Sequence, residues 1–269
     1  ATGAGRSTFN GAFILNSNNT LENIILLPTA ATATGDGALA NNASNVLITG
    51  SQIGSTTNPF NTGVNLESTS QIEINNTEVF AVGNLAAGIA GLGTSHVNII
   101  DSQINVMGDD SFGIYVRGNS IIIANNVMVD VYGPSAFGIF SQDSSQLEIT
   151  DSQINAAGSG VTAVNSRDSS QLEITDSQIN AMGGGGNIDG LLTGENSTMT
   201  ISGTTVNVMA TSGNNGFALH TRNSATIGFD NGDLIVTGGA GSSIEKIEAG
   251  SITITNSTCN LNASPLTCP

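Results

Sequence analysis

Apolar and polar residues alternate with a period of two along nearly the whole chain, the pattern of strands that bury one face. The alternation itself recurs. Residues 143–156 and 168–181 are the same fourteen residues, DSSQLEITDSQINA, 25 positions apart. One apolar column at that offset runs through Ile14, Leu39, Val64, Ile89, Ile114, Ile139 and Val164. A second holds Ile74, Ile99, Ala124, Ile149 and Ile174, and a third Val79, Ile104, Val129, Ile154 and Ile179. Gly83, Gly108, Gly133, Gly158 and Gly183 close successive repeats. Ile174 to Ile201 spans 27 residues and Ile201 to Phe229 spans 28, after which Ile254 restores the spacing. Leu21 and Leu26 extend the second and third columns to the start. About ten repeats therefore fill the chain.

Within residues 113–133 the pattern predicts three short strands. GIYV points Ile114 and Val116 inward, IIIA points Ile122 and Ala124 inward, and VMVDV points Val129 and Val131 inward. Asn125-Asn126 predicts a sharp turn, because Asn tolerates the left-handed conformation. No amphipathic helical stretch with caps interrupts the series. Three strands and small corners per coil predict an all-β, single-domain parallel β-helix of about ten coils of ~25 residues. The expected boundaries are an N-terminal extension at 1–13, the solenoid at 14–262 and a tail at 263–269.

The repeat G-I-x-V-x-x-(S/N)-x-Φ-x-I-x-(N/D)-(S/N)-x-I stands here as GIYVRGNSIIIANNVMV and GIFSQDSSQLEITDSQI. It resembles the right-handed parallel β-helix repeat of the pectate-lyase-like superfamily, over roughly residues 11–262. That superfamily includes polysaccharide lyases and hydrolases, phage tailspikes, and passenger or adhesin domains of bacterial surface proteins, so the resemblance implies a fold and leaves the activity open. In its enzymes the outward face of the first strand holds the catalytic groove. Here that row is Leu15, Ala40, Asn65, Ala90, Tyr115, Phe140, Asn165, Leu192 and His220, without the Asp, Arg and Lys expected of a groove for acidic sugars.

Candidate contacts lie on outward columns. Tyr115 and Phe140 are one coil apart and offer either a stack for a sugar ring or a surface shielded by loops or a partner subunit. Arg117, Arg167 and Arg222 share one corner. They offer either bidentate recognition of a uronic or sialic acid carboxylate or pairing with neighbours such as Asp143 and Asp168. On the third strand, Asn105, Asp130, Asn155, Asn180, Asn207 and Asn260 predict a stacked amide ladder. Beside it run Val82, Met107, Tyr132, Ala157, Met182 and Met209. This apolar outward row is expected to be a lateral interface or to lie under the chain's own loops.

Composition narrows the partners. Five Lys and Arg against 21 Asp and Glu give a net charge of −16, which cannot neutralise a run of phosphates. Nucleic acid and anionic membrane are therefore excluded as expected partners, and no apolar run is long enough to span a bilayer as a helix. Asp143/Asp168, Glu148/Glu173 and Asp151/Asp176 should each stand about 5 Å apart, the spacing of retaining glycosidases. All three pairs arise from the fourteen-residue duplication, so they say little about catalysis. No cofactor is expected, and Ca²⁺ between such pairs is the alternative. Asp230-Asn231-Gly232-Asp233 resembles the start of a calcium loop, but Gly241 stands at its twelfth position, where Glu is needed. The sequence holds no CxxC, HExxH, GxSxG or P-loop, and only His96 and His220 as histidines.

Cys259 and Cys268 lie close together near the C-terminus, and a local disulfide fits an extracytoplasmic protein, with two free thiols in a cytosolic one as the alternative. Ala1 suggests a chain processed by removal of a signal peptide, or one trimmed for study. Both ends show strand register without a capping helix, which predicts either an excerpt of a longer passenger domain or subunits stacked head to tail. The function expected is a non-enzymatic, secreted or cell-surface structural or adhesive solenoid. It would partner itself, head to tail or laterally, or bind surface glycans or proteins. A polysaccharide-binding or polysaccharide-cleaving protein is the alternative.

Overall fold

The computed structural model describes residues 6–29, 35–211, 213–238, 244–261, 264–266 and 268. The described strands form three sheets. Sheet A, which contains Gln153–Ser159, holds twelve strands, and sheet B, which contains Thr162–Ser166, and sheet C, which contains Gln171–Thr175, hold ten each. Each coil adds one strand to each sheet, and every pairing between coils is parallel. The chain is all-β, a solenoid of about ten turns, as the periodicity predicts.

Register follows the apolar columns. In sheet A, Ile104 pairs with Val129, Val129 with Ile154 and Ile154 with Ile179. In sheet C, Ile99 pairs with Ala124, Ala124 with Ile149 and Ile149 with Ile174. A single coil cannot cover its inward side chains, but stacking merges them into one continuous buried core running from Leu15 to Cys259.

The turn from sheet C to sheet A shows how a local sequence closes a coil. Its first residue is left-handed throughout. Asn76, Asp101, Asn126, Asp151 and Asp176 have φ between 46° and 53°, as Asn126 was expected to. A Ser or Thr usually follows, and its hydroxyl links two coils. The Val127 amide donates to Ser152 Oγ at 3.0 Å, and Ser152 Oγ donates to the Thr150 carbonyl at 2.7 Å. The Ser152 amide in turn donates to Ser177 Oγ at 3.1 Å, and the Ser177 amide to Thr204 Oγ1 at 3.2 Å. Backbone donors that the tight turn leaves off the strand ladders are satisfied in this way. The turn from sheet A to sheet B uses glycine because the coils nearly touch: a Cβ on Gly133 would meet the Gly108 carbonyl oxygen at 2.0 Å.

The ends differ from the expected boundaries. Strand Ser7–Asn10 already pairs in parallel with Ile24–Leu27, so the solenoid begins inside the segment assigned to an N-terminal extension. Residues 1–5 of that segment lie outside the described residues. The inward column is also shifted in the first two coils. Ala38 pairs with Val64, an offset of 26 rather than 25, and Phe13 with Ala38. Ile14 and Leu39 therefore face outward, Ile14 with 73% of its surface exposed, while Leu15 and Ala40 are buried. One extra residue between Ala38 and Val64 reverses the faces that a fixed offset assigns to Ile14 and Leu39, while Leu21 and Leu26 in the other two sheets still face the core.

At the other end the chain folds back. Ser264–Leu266 pairs antiparallel with Thr258–Leu261, and a Cys259–Cys268 disulfide joins the two segments. Sheet A is thereby covered at its C-terminal edge, where the sequence suggested an open end. The expected solenoid boundary at residue 262 and the start of the tail at 263 lie outside the described residues.

Candidate functional site

Sheet A presents two outward columns side by side. The amide ladder forms from Asp130 to Asn207, whereas Asn260 is cut off from it because Ile235 stands between Asn207 and Asn260 in the strand register. Asn155 Nδ2 donates to Asp130 Oδ1 at 2.7 Å, Asn180 Nδ2 to Asn155 Oδ1 at 2.7 Å, and Asn207 Nδ2 to Asn180 Oδ1 at 2.9 Å. Strand pairing sets the amides one coil apart, so each donor reaches the acceptor of the coil before. Asn105 stands outside the run: its Oδ1 accepts from Gln103 Nε2 at 3.1 Å, and its Nδ2 is buried without a partner.

The neighbouring column pairs Val82 with Met107, Met107 with Tyr132, Tyr132 with Ala157, Ala157 with Met182 and Met182 with Met209. Met107, Tyr132, Met182 and Met209 are 45–54% exposed. No loop among the described residues covers them. The side chains are flexible thioethers and one phenol, which adapt to an irregular partner surface. Acidic groups stand at both margins. Asp109 and Asp110 follow the strand that ends at Met107, and Glu78, Asp101, Asp151 and Asp176 line a groove of about 900 Å³ on the corner towards sheet C.

The outward face of sheet B is closed. Ala90, Phe140, Asn165, Leu192 and His220 point away from the core yet are buried. The first two members assigned to this row, Leu15 and Ala40, belong to the core because of the register shift. Phe112, Tyr115, Phe137 and Phe140 pack on one another. Phe112 and Phe137 stack with centroids 5.5 Å apart and planes 10° apart, and Tyr115 stacks on Phe112 at 5.0 Å. Phe140 meets Phe137 edge to face at 5.0 Å, and the Arg167 guanidinium lies 5.5 Å from its centroid. Tyr115 and Phe140 are thus brought together as foreseen, with ring faces turned to protein neighbours. Phe112 and Phe137, which complete the cluster, went unmarked in the sequence because the glycine after each hides its facing.

The three arginines of the corner have different partners. Arg117 Nε lies 3.2 Å from Asp143 Oδ2, and that contact is the main cause holding its pKa above the ordinary guanidinium value. Arg167 Nε donates to Asn165 Oδ1 and Arg222 Nε to His220 Nε2, each at 3.2 Å. His220 Nδ1 lies 2.9 Å from Asp189 Oδ1. Among the carboxylate pairs, Glu148 faces Glu173 across adjacent strands, and Asp151 and Asp176 share the corner groove. Among the described residues no three His, Cys, Asp or Glu side chains gather into a group able to hold a metal ion.

These features define the class of protein, a three-sheet parallel solenoid with one closed and one apolar outward face. The chain belongs to the right-handed β-helix family, whose model, described as a right handed beta helix region, matches residues 9–179. No curated protein matches the chain. A chain of the Vag8–C1 inhibitor complex is similar over 94% of this chain and 73% of its own, with 13% identity and a TM-score of 0.63. A double mutant of the periplasmic alginate epimerase AlgG is similar over 96% of this chain and 79% of its own, with 12% identity and a TM-score of 0.50. An endo-xylogalacturonan hydrolase from Aspergillus tubingensis covers 98% and 89%, with 12% identity and a TM-score of 0.44. Binders and enzymes share this fold, and at these identities the likeness is one of fold alone.

Proposed function

We propose that the protein is a non-enzymatic, exported β-solenoid that serves as a structural or adhesive rod and makes lateral contacts through sheet A. The observation behind this reading is the exposed column Met107, Tyr132, Met182 and Met209, beside a hydrogen-bonded and therefore rigid amide ladder. A contiguous apolar strip of this kind on a soluble surface marks a contact site. The first partner proposed is a second copy of the chain. A lateral mode is preferred over head-to-tail stacking because the strand Ser264–Leu266 occupies the C-terminal edge of sheet A, one of the three edges that a following subunit would extend. Export fits the disulfide and the company of periplasmic and complexed β-helices. Polysaccharide binding through Tyr115 and Phe140 is weaker as a reading, since their rings are engaged with Phe112, Phe137 and Arg167.

Such contacts are weak one at a time. The strip spans about six coils, roughly 30 Å at strand spacing, and is only one side chain wide, narrower than the broad patch of a stable interface. The acidic margins repel a second copy, and salt should screen that repulsion. Sedimentation velocity across a concentration series tests this at about 0.15 M and about 1 M salt, where the screening lengths are ~8 and ~3 Å. The native protein is expected to associate more at the higher salt, and Met107→Lys/Met182→Lys to remain monomeric at both. Equal association of the two proteins would refute the reading, because the variant is the less negative of the two and has less overall charge to oppose pairing.

A further inference from the structure

In a chain with 21 acidic and five basic side chains, a guanidinium without a carboxylate partner is unusual. All 21 acidic residues are among the described ones. Arg117 has Asp143. Neither Arg167 nor Arg222 has a side-chain carboxylate within the 4.0 Å of an ion pair. Yet both line one small cavity, together with Leu192, Gly194 and Glu195.

The cavity arises from the repeat. Arg167, Gly194 and Arg222 occupy the same corner position of three successive coils, as the backbone bonds Arg167 to Ser141, Gly194 to Ser166 and Arg222 to Thr193 indicate. The two arginine positions are about 10 Å apart at strand spacing, and glycine leaves the space between them open. Its volume is about 70 Å³, about five times what one water molecule requires.

Both guanidiniums are anchored from behind. Arg167 uses Nε on Asn165 Oδ1 and rests on the Phe140 ring. Arg222 Nε lies 3.2 Å from His220 Nε2, which Glu245 Oε2 also approaches at 3.4 Å, and His220 Nδ1 lies 2.9 Å from Asp189 Oδ1. Among the described residues no hydrogen bond engages the Nη groups of either arginine, and these are the forked donors that bind oxyanions. Glu195 supplies the opposite polarity. Its Oε1 accepts from Asn223 Nδ2 at 3.2 Å, while its Oε2 is buried without any hydrogen-bond partner. An acceptor left this way is costly unless a ligand brings a donor.

We propose that this cavity is a binding site for a small oxyanion that bears its own hydrogen-bond donor, namely a hydrogen phosphate group. The two guanidiniums hold the anionic oxygens, and Glu195 Oε2 accepts from the P–OH. Sulfate has similar size and charge, but it is fully deprotonated at neutral pH and sets an oxygen against the carboxylate. Free phosphate keeps a P–OH in both of its forms at neutral pH, whereas a phosphomonoester, with a second pKa of about 6, keeps one only in its minor monoanion. The two also differ in whether the cavity mouth admits the esterified oxygen.

Equilibrium dialysis of the native protein with radiolabelled inorganic phosphate at neutral pH is the test, with sulfate and glycerol phosphate as competitors. Phosphate is expected to bind and sulfate to compete at least about tenfold more weakly, some 1.4 kcal/mol. Arg222→Ala and Gly194→Leu should each abolish binding. The second fills the cavity while leaving every charge in place, at a position where an added Cβ meets only Arg222 Cβ at 3.9 Å. Glu195→Gln should bring sulfate within about threefold of phosphate, because the amide can donate. Competition by glycerol phosphate equal to or better than that by phosphate assigns the site to esters, and weaker competition assigns it to the free ion. Absence of phosphate binding, equal competition by sulfate in the native protein, or binding that survives Gly194→Leu would overturn the proposal.

Discussion

Ser152 shows how much of the fold rests on single hydroxyls. It accepts from the Val127 amide and donates to the Thr150 carbonyl, and it is buried. Ser152→Ala leaves a buried backbone N–H without a partner and should cost about 1–3 kcal/mol, measurable by denaturant unfolding. Asp230 couples the last coils in a titratable way. Hydrogen bonds from Thr255 Oγ1 at 2.6 Å and Asn256 Nδ2 at 2.9 Å hold its pKa below the ordinary carboxylate value. Because the folded pKa is the lower one, this contribution is fully present above the unfolded value of ~3.9 and is lost as pH falls through the folded pKa. Protection factors at Thr253–Asn256, taken relative to the intrinsic exchange rate at each pH, should therefore fall in acid, and Asp230→Asn should remove that acid step. An unchanged acid step in the variant would contradict the assignment. The Asn125-Asn126 pair was visible in the sequence as a turn. The hydroxyl bridge between coils was not, because it joins residues 25 apart through a side chain too small to stand out in a chain rich in serine.

At the scale of the element, the columns of sheets A and C were legible because alternation and a fixed offset act together. Val129, Ile154 and Ile179 could not move by one residue without turning every apolar side chain to solvent. Sheet B was harder. Its glycine-containing strands put Phe112 and Tyr115 on the same outward side, which breaks strict alternation. At Ile14 the offset alone gave the wrong face, since both Phe13-Ile14-Leu15 registers present an apolar residue inward. The antiparallel Ser264–Leu266 segment was also hidden, being three residues long and containing proline. Its attachment has a local consequence. Reduction of the Cys259–Cys268 bond, or Cys268→Ser, should raise hydrogen exchange at Thr258–Leu261 while leaving strands such as Gln153–Ser159 protected, because each coil contacts only its neighbours. Equal loosening of the middle strands would mean that the staple acts on the whole rod.

For the molecule as a whole, the fold separates two surfaces that the sequence treated alike. Sheet B turns its outward residues into a packed lining of aromatic rings and anchored arginines. Sheet A leaves an apolar column open to solvent between acidic margins, on a chain whose net charge of −16 makes copies repel one another. The role proposed above makes sheet A the face through which copies would meet. Thiol cross-linking reads it directly. Tyr132 lies near the middle of the column, and Glu148 faces solvent from sheet C. In a two-fold lateral pair the central position of one copy approaches that of its partner. Tyr132→Cys should therefore form disulfide-linked dimers at high salt at least about tenfold faster than Glu148→Cys, the ratio expected if the contact is populated and not a chance encounter. Cross-linking at equal rates from the two sheets would contradict the account.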